Sequence, residues 1–288
     1  MEEGVNMASR KGFFVSLLTI ALALSLAAFS MHVNSVQAGL DRQLVEGLPA
    51  ETAGYAFDDV RSDIDGLTGI NFRLARNETH LNASFGGAIG EHRNVSEDIL
   101  NYGAFAASYY SRWTGANLSL DLSNLTDGGV EVVLTNGLEF ALSNTSAVFR
   151  TIGNGATNVT RYEISVSVDK YRRTTTPWTP TGGDIQVVLR YADRNGSIVE
   201  SVSLSSTGIN DYVIDYSPFE VLTISVGQDG GRTGRLSISQ GLNVTALVRV
   251  NASINYTSSD EVAAYYAAYM NYSQGGVERK AFIEGDRV

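Results

Sequence analysis

Residues 243–257 read Asn243-Val244-Thr245-Ala246-Leu247-Val248-Arg249-Val250-Asn251-Ala252-Ser253-Ile254-Asn255-Tyr256-Thr257. Every even position is apolar, while the odd positions are polar or charged apart from Leu247. Side chains on a strand point alternately to its two faces. The spacing therefore predicts a strand with one packed face and one outward face. A slip of one residue would bury three asparagines, so the pattern also fixes the register. Each of those three, Asn243, Asn251 and Asn255, begins the triplet Asn-x-Ser/Thr, the acceptor for N-glycosylation on accessible backbone outside the cytoplasm.

Outward from this stretch, the same triplet recurs at Asn77, Asn82, Asn94, Asn117, Asn124, Asn144, Asn158, Asn195 and Asn271. Twelve of nineteen asparagines thus head a sequon, and Ser plus Thr make up 50 of 288 residues. At that composition chance placement yields roughly three sequons. Asn clusters also arise at turns for backbone reasons, but here they fall within strand-like segments too. None precedes residue 77, although Asn6 and Asn34 were available. The expectation is that the chain from 77 onward faces the exterior and carries sugars.

Alternation continues on both sides. Leu118, Leu120 and Leu122 alternate with polar residues, as do Tyr162, Ile164, Val166 and Val168. Val130, Val132 and Leu134 precede Asn136-Gly137, and Leu138, Phe140 and Leu142 follow. Ile185 to Tyr191 precede Asn195-Gly196, and Ile198 to Leu204 follow. Asn-Gly between alternating runs predicts two-residue hairpin turns with positive φ at both positions. Phe219–Val226 is apolar on both parities, which suits a central strand. The glycines of 227–234 have no following helix and no Gly-Lys-Ser/Thr, so a hairpin loop outweighs a phosphate cradle. Residues 174–181 form a proline-containing loop. The four tyrosines of 262–272 fit a strand or a short helix.

Two helical stretches interrupt the strands. Phe57, Val60, Ile64 and Leu67 form one apolar seam after Pro49, predicting a stalk helix that ends near Gly66. Asp63-Ile64-Asp65-Gly66 lacks the flanking ligands of a calcium loop, so a solvated face is the better reading. Asn94 with Glu97 is a capping-box pattern. The aromatic spacing Tyr102, Ala106, Tyr109, Trp113 then marks a face expected to lie in the core.

The net charge is −10, with three Lys and eighteen Arg and no basic run, which argues against a nucleic-acid partner. With no cysteine, an exported chain must rely on core burial alone. His80 and His92 are the only histidines after residue 32. No zinc spacing and no nucleophile-elbow motif occurs. The expectation is a non-enzymatic protein with no catalytic residue, metal or cofactor. Two remote carboxylates of a hydrolase would leave no sequence mark, so a secreted hydrolase stands as a third class. Trp178 is the aromatic to which an adhesion or carbohydrate-binding reading would turn, and loop packing explains it equally.

At the N-terminus, Arg10 and Lys11 precede Gly12, and Phe13–Met31 runs nineteen residues without charge. At about 1.5 Å per residue such a helix covers roughly the 30 Å hydrocarbon core. The basic pair holds the N-terminus inside and sends the remainder out. Val36-Gln37-Ala38 before Gly39 also forms a small-residue site for ordinary signal cleavage. The junction Arg10-Lys11-Gly12-Phe13-Phe14-Val15-Ser16-Leu17 resembles the class III signal peptide of archaeal type IV pilin-like proteins. That resemblance covers some thirty residues. It implies cleavage between Gly12 and Phe13, with the apolar helix retained first as membrane anchor and then as filament core. Leu17 stands at the fifth mature position, where bacterial relatives often carry glutamate.

The expected organisation is a basic leader 1–12, a membrane or bundle helix 13–38, a helical stalk 39–76 and a glycosylated β-rich ectodomain 77–288. The fold class is mainly β: the two helices, then an antiparallel β-sandwich-like domain with one inserted helix. Expected partners are membrane lipid around the N-terminal helix and further copies or other envelope glycoproteins. The functional expectation is an archaeal cell-surface structural subunit, with a non-polymerising adhesion or carbohydrate-binding protein as the alternative.

Overall fold

The computed structural model of this chain describes residue 25 and residues 29–32, 51–77, 79–90, 95–126, 129–151, 159–229, 232–255 and 261–288. The chain divides into two compact units, Met1–Gly54 and Tyr55–Val288. In the first, residues 25, 29–32 and 51–54 are helical. Among the described residues no helix is long and apolar enough to cross a membrane. Most of the anchor read at 13–31 lies outside the described residues, as do the cleavage candidates Gly12, Phe13, Ala38 and Gly39.

Helix α1 (51–68) begins in the first unit; in the second its residues 55–68 lead into β1 (Asn71–Arg76) and β2 (His80–Ile89), then α2 (Val95–Thr114). Next come β3 (Asn117–Asp121), α3 (Ser123–Thr126), β4 (Val130–Leu134), β5 (Leu138–Leu142), β6 (Ser146–Thr151) and β7 (Val159–Val168). The chain continues through β8 (Thr174–Thr176), β9 (Ile185–Asp193), β10 (Gly196–Leu204), β11 (Ile209–Ser217) and β12 (Glu220–Asp229). It closes with β13 (Arg232–Gln240), β14 (Ala246–Asn255), β15 (Ala263–Gln274) and β16 (Val277–Arg287). The protein is mainly β. Residues 71–76, counted with the stalk from sequence, form a strand of the first sheet.

That six-stranded sheet has the order β1-β2-β14-β7-β9-β10. The second is ten-stranded, β16-β15-β4-β5-β6-β13-β12-β11-β8, with β3 joined to β15. All pairings are antiparallel except β7 with β9, between which the chain visits the other sheet as β8. Of residues 262–272, which periodicity leaves between strand and helix, all but Val262 lie in the strand β15.

Strand β14 sits as its alternation requires. Ala246, Val248, Val250, Ala252 and Ile254 are buried, while Leu247, Arg249 and Asn255 are exposed. The strand begins at Ala246, so Asn243 belongs to the preceding turn. Beside Val250 on that buried face, Phe85 of β2 stacks on Phe140 of β5 with centroids 4.3 Å apart and meets Phe149 of β6 at 5.4 Å. Phe149 meets Tyr162 of β7 edge-on. The Tyr162 hydroxyl donates to the Gly234 carbonyl at 2.7 Å, so a fully buried phenol crosses between the sheets without losing its hydrogen bond. These contacts pack the two sheets face to face.

Both hairpins form, with a different turn geometry from that expected. No residue other than glycine has positive φ among those described. In the first hairpin Thr135-Asn136-Gly137 make a three-residue loop in which only Gly137 (φ 83°) is left-handed. In the second, Arg194-Asn195 form the turn, and Gly196 (φ 121°) opposes Asp193 as the first residue of β10. A single left-handed glycine after an ordinary turn suffices to return the strand. Phe219, assigned to a central strand from sequence, stands in the β11–β12 turn and is 92% exposed. The strand proper begins at Glu220.

Helix α1 buries Phe57, Val60 and Ile64 as the seam predicts, together with Ala56, whereas Leu67, the seam's last member, is half-buried. It runs to residue 68, two beyond Gly66, and ends on Gly69 (φ 65°), whose N–H donates to the Asp65 carbonyl at 3.1 Å. The expected core face of α2 is displaced. Ile99, Ala106 and Tyr110 are buried, whereas Tyr109 is 43% and Trp113 70% exposed. The true seam runs 99, 103, 106, 110, where Gly103 lies close to Leu122. A glycine has no side chain to mark the seam, so the aromatic spacing misassigns the face.

Candidate functional site

The outward face of the six-stranded sheet gathers the features that sequence reading singled out. In register, Asn82-Ala83-Ser84 of β2 lies antiparallel to Asn251-Ala252-Ser253 of β14, so Asn82 opposes Ser253 and Ser84 opposes Asn251. The Ser253 hydroxyl donates to Asn82 Oδ1 at 2.8 Å, and the Ser84 hydroxyl donates to Asn251 Oδ1. Two sequons thus hold each other reciprocally, each supplying its hydroxyl to the other's amide.

Elsewhere Asn77, Asn144, Asn195 and Asn243 sit at turns, Asn124 in helix α3, and Asn271 inside β15 between β3 and β16. Asn77 Oδ1 accepts from the backbone N–H groups of Thr79 and His80 at 3.2 and 2.8 Å, an Asx turn. Asn195 Nδ2 donates to the Arg172 carbonyl at 2.7 Å, and Asn243 Oδ1 accepts from Lys170 Nζ at 2.7 Å. Of the ten described sequon asparagines, Asn77, Asn82, Asn117, Asn124, Asn144, Asn195, Asn243 and Asn255 are exposed. Asn251 and Asn271 are half-buried, and Asn271 Oδ1 is buried without a hydrogen bond. Asn94 and Asn158 lie outside the described residues.

The other end of the same face is hollow. An open groove of about 620 Å³ crosses the strands there. Its lining follows one transverse row of the sheet: Asn71, Gly86, Arg249, Ser165, Arg190 and Val199, one from each strand. A second row adds Ala88, Leu247, Ser167, Ala192 and Ser197. Small residues between longer ones give the depth. A side chain at Gly86 would meet Val248 O, Asn71 Cβ and Arg249 Nε at 3.6–4.0 Å, so glycine keeps that part of the floor low.

Beneath the groove's β9 edge lies a polar network. Asp193, whose side chain is fully buried, accepts from Arg172 Nη1, the Tyr191 hydroxyl and the Asn195 N–H at 2.7–2.8 Å. The Tyr191 and Tyr216 hydroxyls hydrogen-bond, and burial pushes Tyr216 up to about 12. A second set joins helix to core: Tyr110 donates to Asp59 at 2.8 Å, Tyr266 donates to Asp65, and burial followed by Asp63 raises Tyr102. The Asp63–Gly66 carboxylates therefore engage phenols of the fold.

Trp178 is 5% exposed, with its indole N–H shared between the Asn210 and Ile224 carbonyls at 3.2 Å and its ring against Tyr212. It is a core residue, which removes it as a binding group. Among the described residues no three of His, Cys, Asp and Glu come together as metal ligands. The groove had no advance signal, because it depends on the non-sequential order β2-β14-β7-β9. No protein family, curated protein or solved structure matches this chain.

Proposed function

We propose that the chain is a non-enzymatic surface glycoprotein, held in the membrane by its N-terminal apolar segment, with the β-rich unit displayed outside. The observation that carries this reading is the agreement of two independent patterns. Sequons begin only after the basic-then-apolar N-terminus, and eight of the ten described sequon asparagines are exposed although they sit on strands, turns and helix α3. Sugars on one sheet face would also hinder sheet-to-sheet association, a hazard of strand-rich surfaces.

The role is structural: a cell-surface subunit like the archaeal pilin-like proteins its first thirty residues resemble, with segment 13–31 available for self-assembly after cleavage at Gly12. N-terminal sequencing of the native protein tests this directly. A start at Phe13 supports the pilin-like reading, whereas a start at Gly39 removes the anchor and the filament core together. An intact Met1 leaves a simple anchored glycoprotein and overturns assembly through a processed helix.

A further inference from the structure

On a chain of net charge −10, the outward face of the six-stranded sheet has the opposite sign. Its strands carry Arg73, Arg161, Arg190 and Arg249 there, against one carboxylate, Glu163. Glu163 is held by Arg161 at 2.6 Å and lies 3.8 Å from Arg190. Among the described residues no carboxylate pairs with Arg249. Arg249 and Arg190 occupy one transverse row, separated only by Ser165 on β7. Two strand spacings place their backbones about 10 Å apart.

We propose that this groove binds an acidic polysaccharide laid across the strands, with carboxylates of its repeat engaged by Arg190 and Arg249. Each guanidinium offers a planar fork suited to a carboxylate. Ser165, Ser167 and Ser197 offer hydroxyls to sugar hydroxyls. Leu247 and Val199, 60% and 68% exposed, offer apolar rims to pyranose faces. The volume falls within the few-hundred to one-thousand Å³ range of small-ligand sites, enough for a short oligosaccharide segment. Binding here needs neither the anchor nor attached sugars.

The test uses the full chain in detergent, titrated with polygalacturonate, with uncharged dextran and with dextran sulfate. Polygalacturonate is expected to bind, dextran not to bind, and Arg190→Gln and Arg249→Gln each to weaken the affinity about tenfold. Ser167→Phe is expected to abolish binding by filling the groove with no change in charge, while leaving the melting temperature unchanged. Arg73→Gln, outside the groove on the same face, is expected to change it less than twofold. No binding of polygalacturonate overturns the proposal. So does equal loss with Arg73→Gln or full binding by Ser167→Phe, because either means general charge attraction. Tighter binding of dextran sulfate than of polygalacturonate overturns the carboxylate assignment. A dimer dissolved by Arg249→Gln would show that a second copy fills the groove instead.

Discussion

The outward face of the six-stranded sheet has two ends built from the same strands and the same alternation, yet with different chemistry. At one end Asn82, Ser84, Asn251 and Ser253 satisfy one another across β2 and β14. At the other end Gly86, Ser165 and Ala192 leave a hollow beside Arg190 and Arg249. Both ends rest on one inner face, where Phe85, Phe140, Phe149 and Tyr162 meet. The contrast teaches that period-two patterning assigns a residue to a face and says nothing of its neighbours on that face. Those neighbours come from strand order.

The largest expected effect removes the support common to both ends. Phe85→Ala deletes a ring stacked on Phe140 and tilted against Phe149, and is expected to cost about 3–5 kcal/mol. Urea unfolding followed by tryptophan fluorescence measures it, and a loss under 1 kcal/mol would mean the inner face is not shared in this way. Next is Gly227→Ala. A Cβ at this left-handed position (φ 138°) would run into the Gly208 carbonyl, which also accepts from the Gln228 N–H at 2.9 Å. A fall of about 2 kcal/mol is expected, whereas Gly137→Ala, with open space around its Cβ, loses only the φ preference, about 1 kcal/mol.

Alkaline pH separates the groove end from the sequon end. The Tyr216 hydroxyl, bonded to Tyr191 below the groove, is pushed up to about 12 by burial. The folded form therefore keeps its proton where the unfolded form ionises. The stability this contributes is present in full below about pH 10 and is lost as pH rises from there through about 12. Stability curves between pH 9 and 12 should flatten in Tyr216→Phe. An unchanged slope would contradict the assignment. The smallest effect belongs to the sequon end. A double-mutant cycle on Ser84→Ala and Asn251→Ala should return a coupling of about 0.5–1.5 kcal/mol, and zero coupling would mean that the reciprocal bonds contribute nothing.

How much could be read in advance follows the same division. The strand at 246–255 and the burial of its even residues were legible, because local alternation dictates both. So was the α1 seam at Phe57, Val60 and Ile64, each of which bears a side chain that marks it. The α2 face was not, because Gly103 hides the buried line and the exposed Tyr109 and Trp113 mimic one. The hairpins were legible at Asn136-Gly137 and Asn195-Gly196, but not their turn geometry, since one left-handed glycine serves as well as two left-handed residues. Arg249 stood among the odd positions of its strand from the outset. Its alignment with Arg190, fifty-nine residues earlier in the chain, follows from the pairing of β14 with β7 and the parallel pairing of β7 with β9, which no local pattern encodes.

Above every other claim stands the export of residues 77–288 and the addition of sugar there. Glycopeptide mapping of protein purified from its own host addresses it most directly. We expect a mass above the 31.0 kDa of the polypeptide less any leader, with hexose-containing glycans on exposed turn asparagines such as Asn77, Asn144 and Asn243. A protein of bare polypeptide mass recovered with the cytosolic fraction would contradict the account.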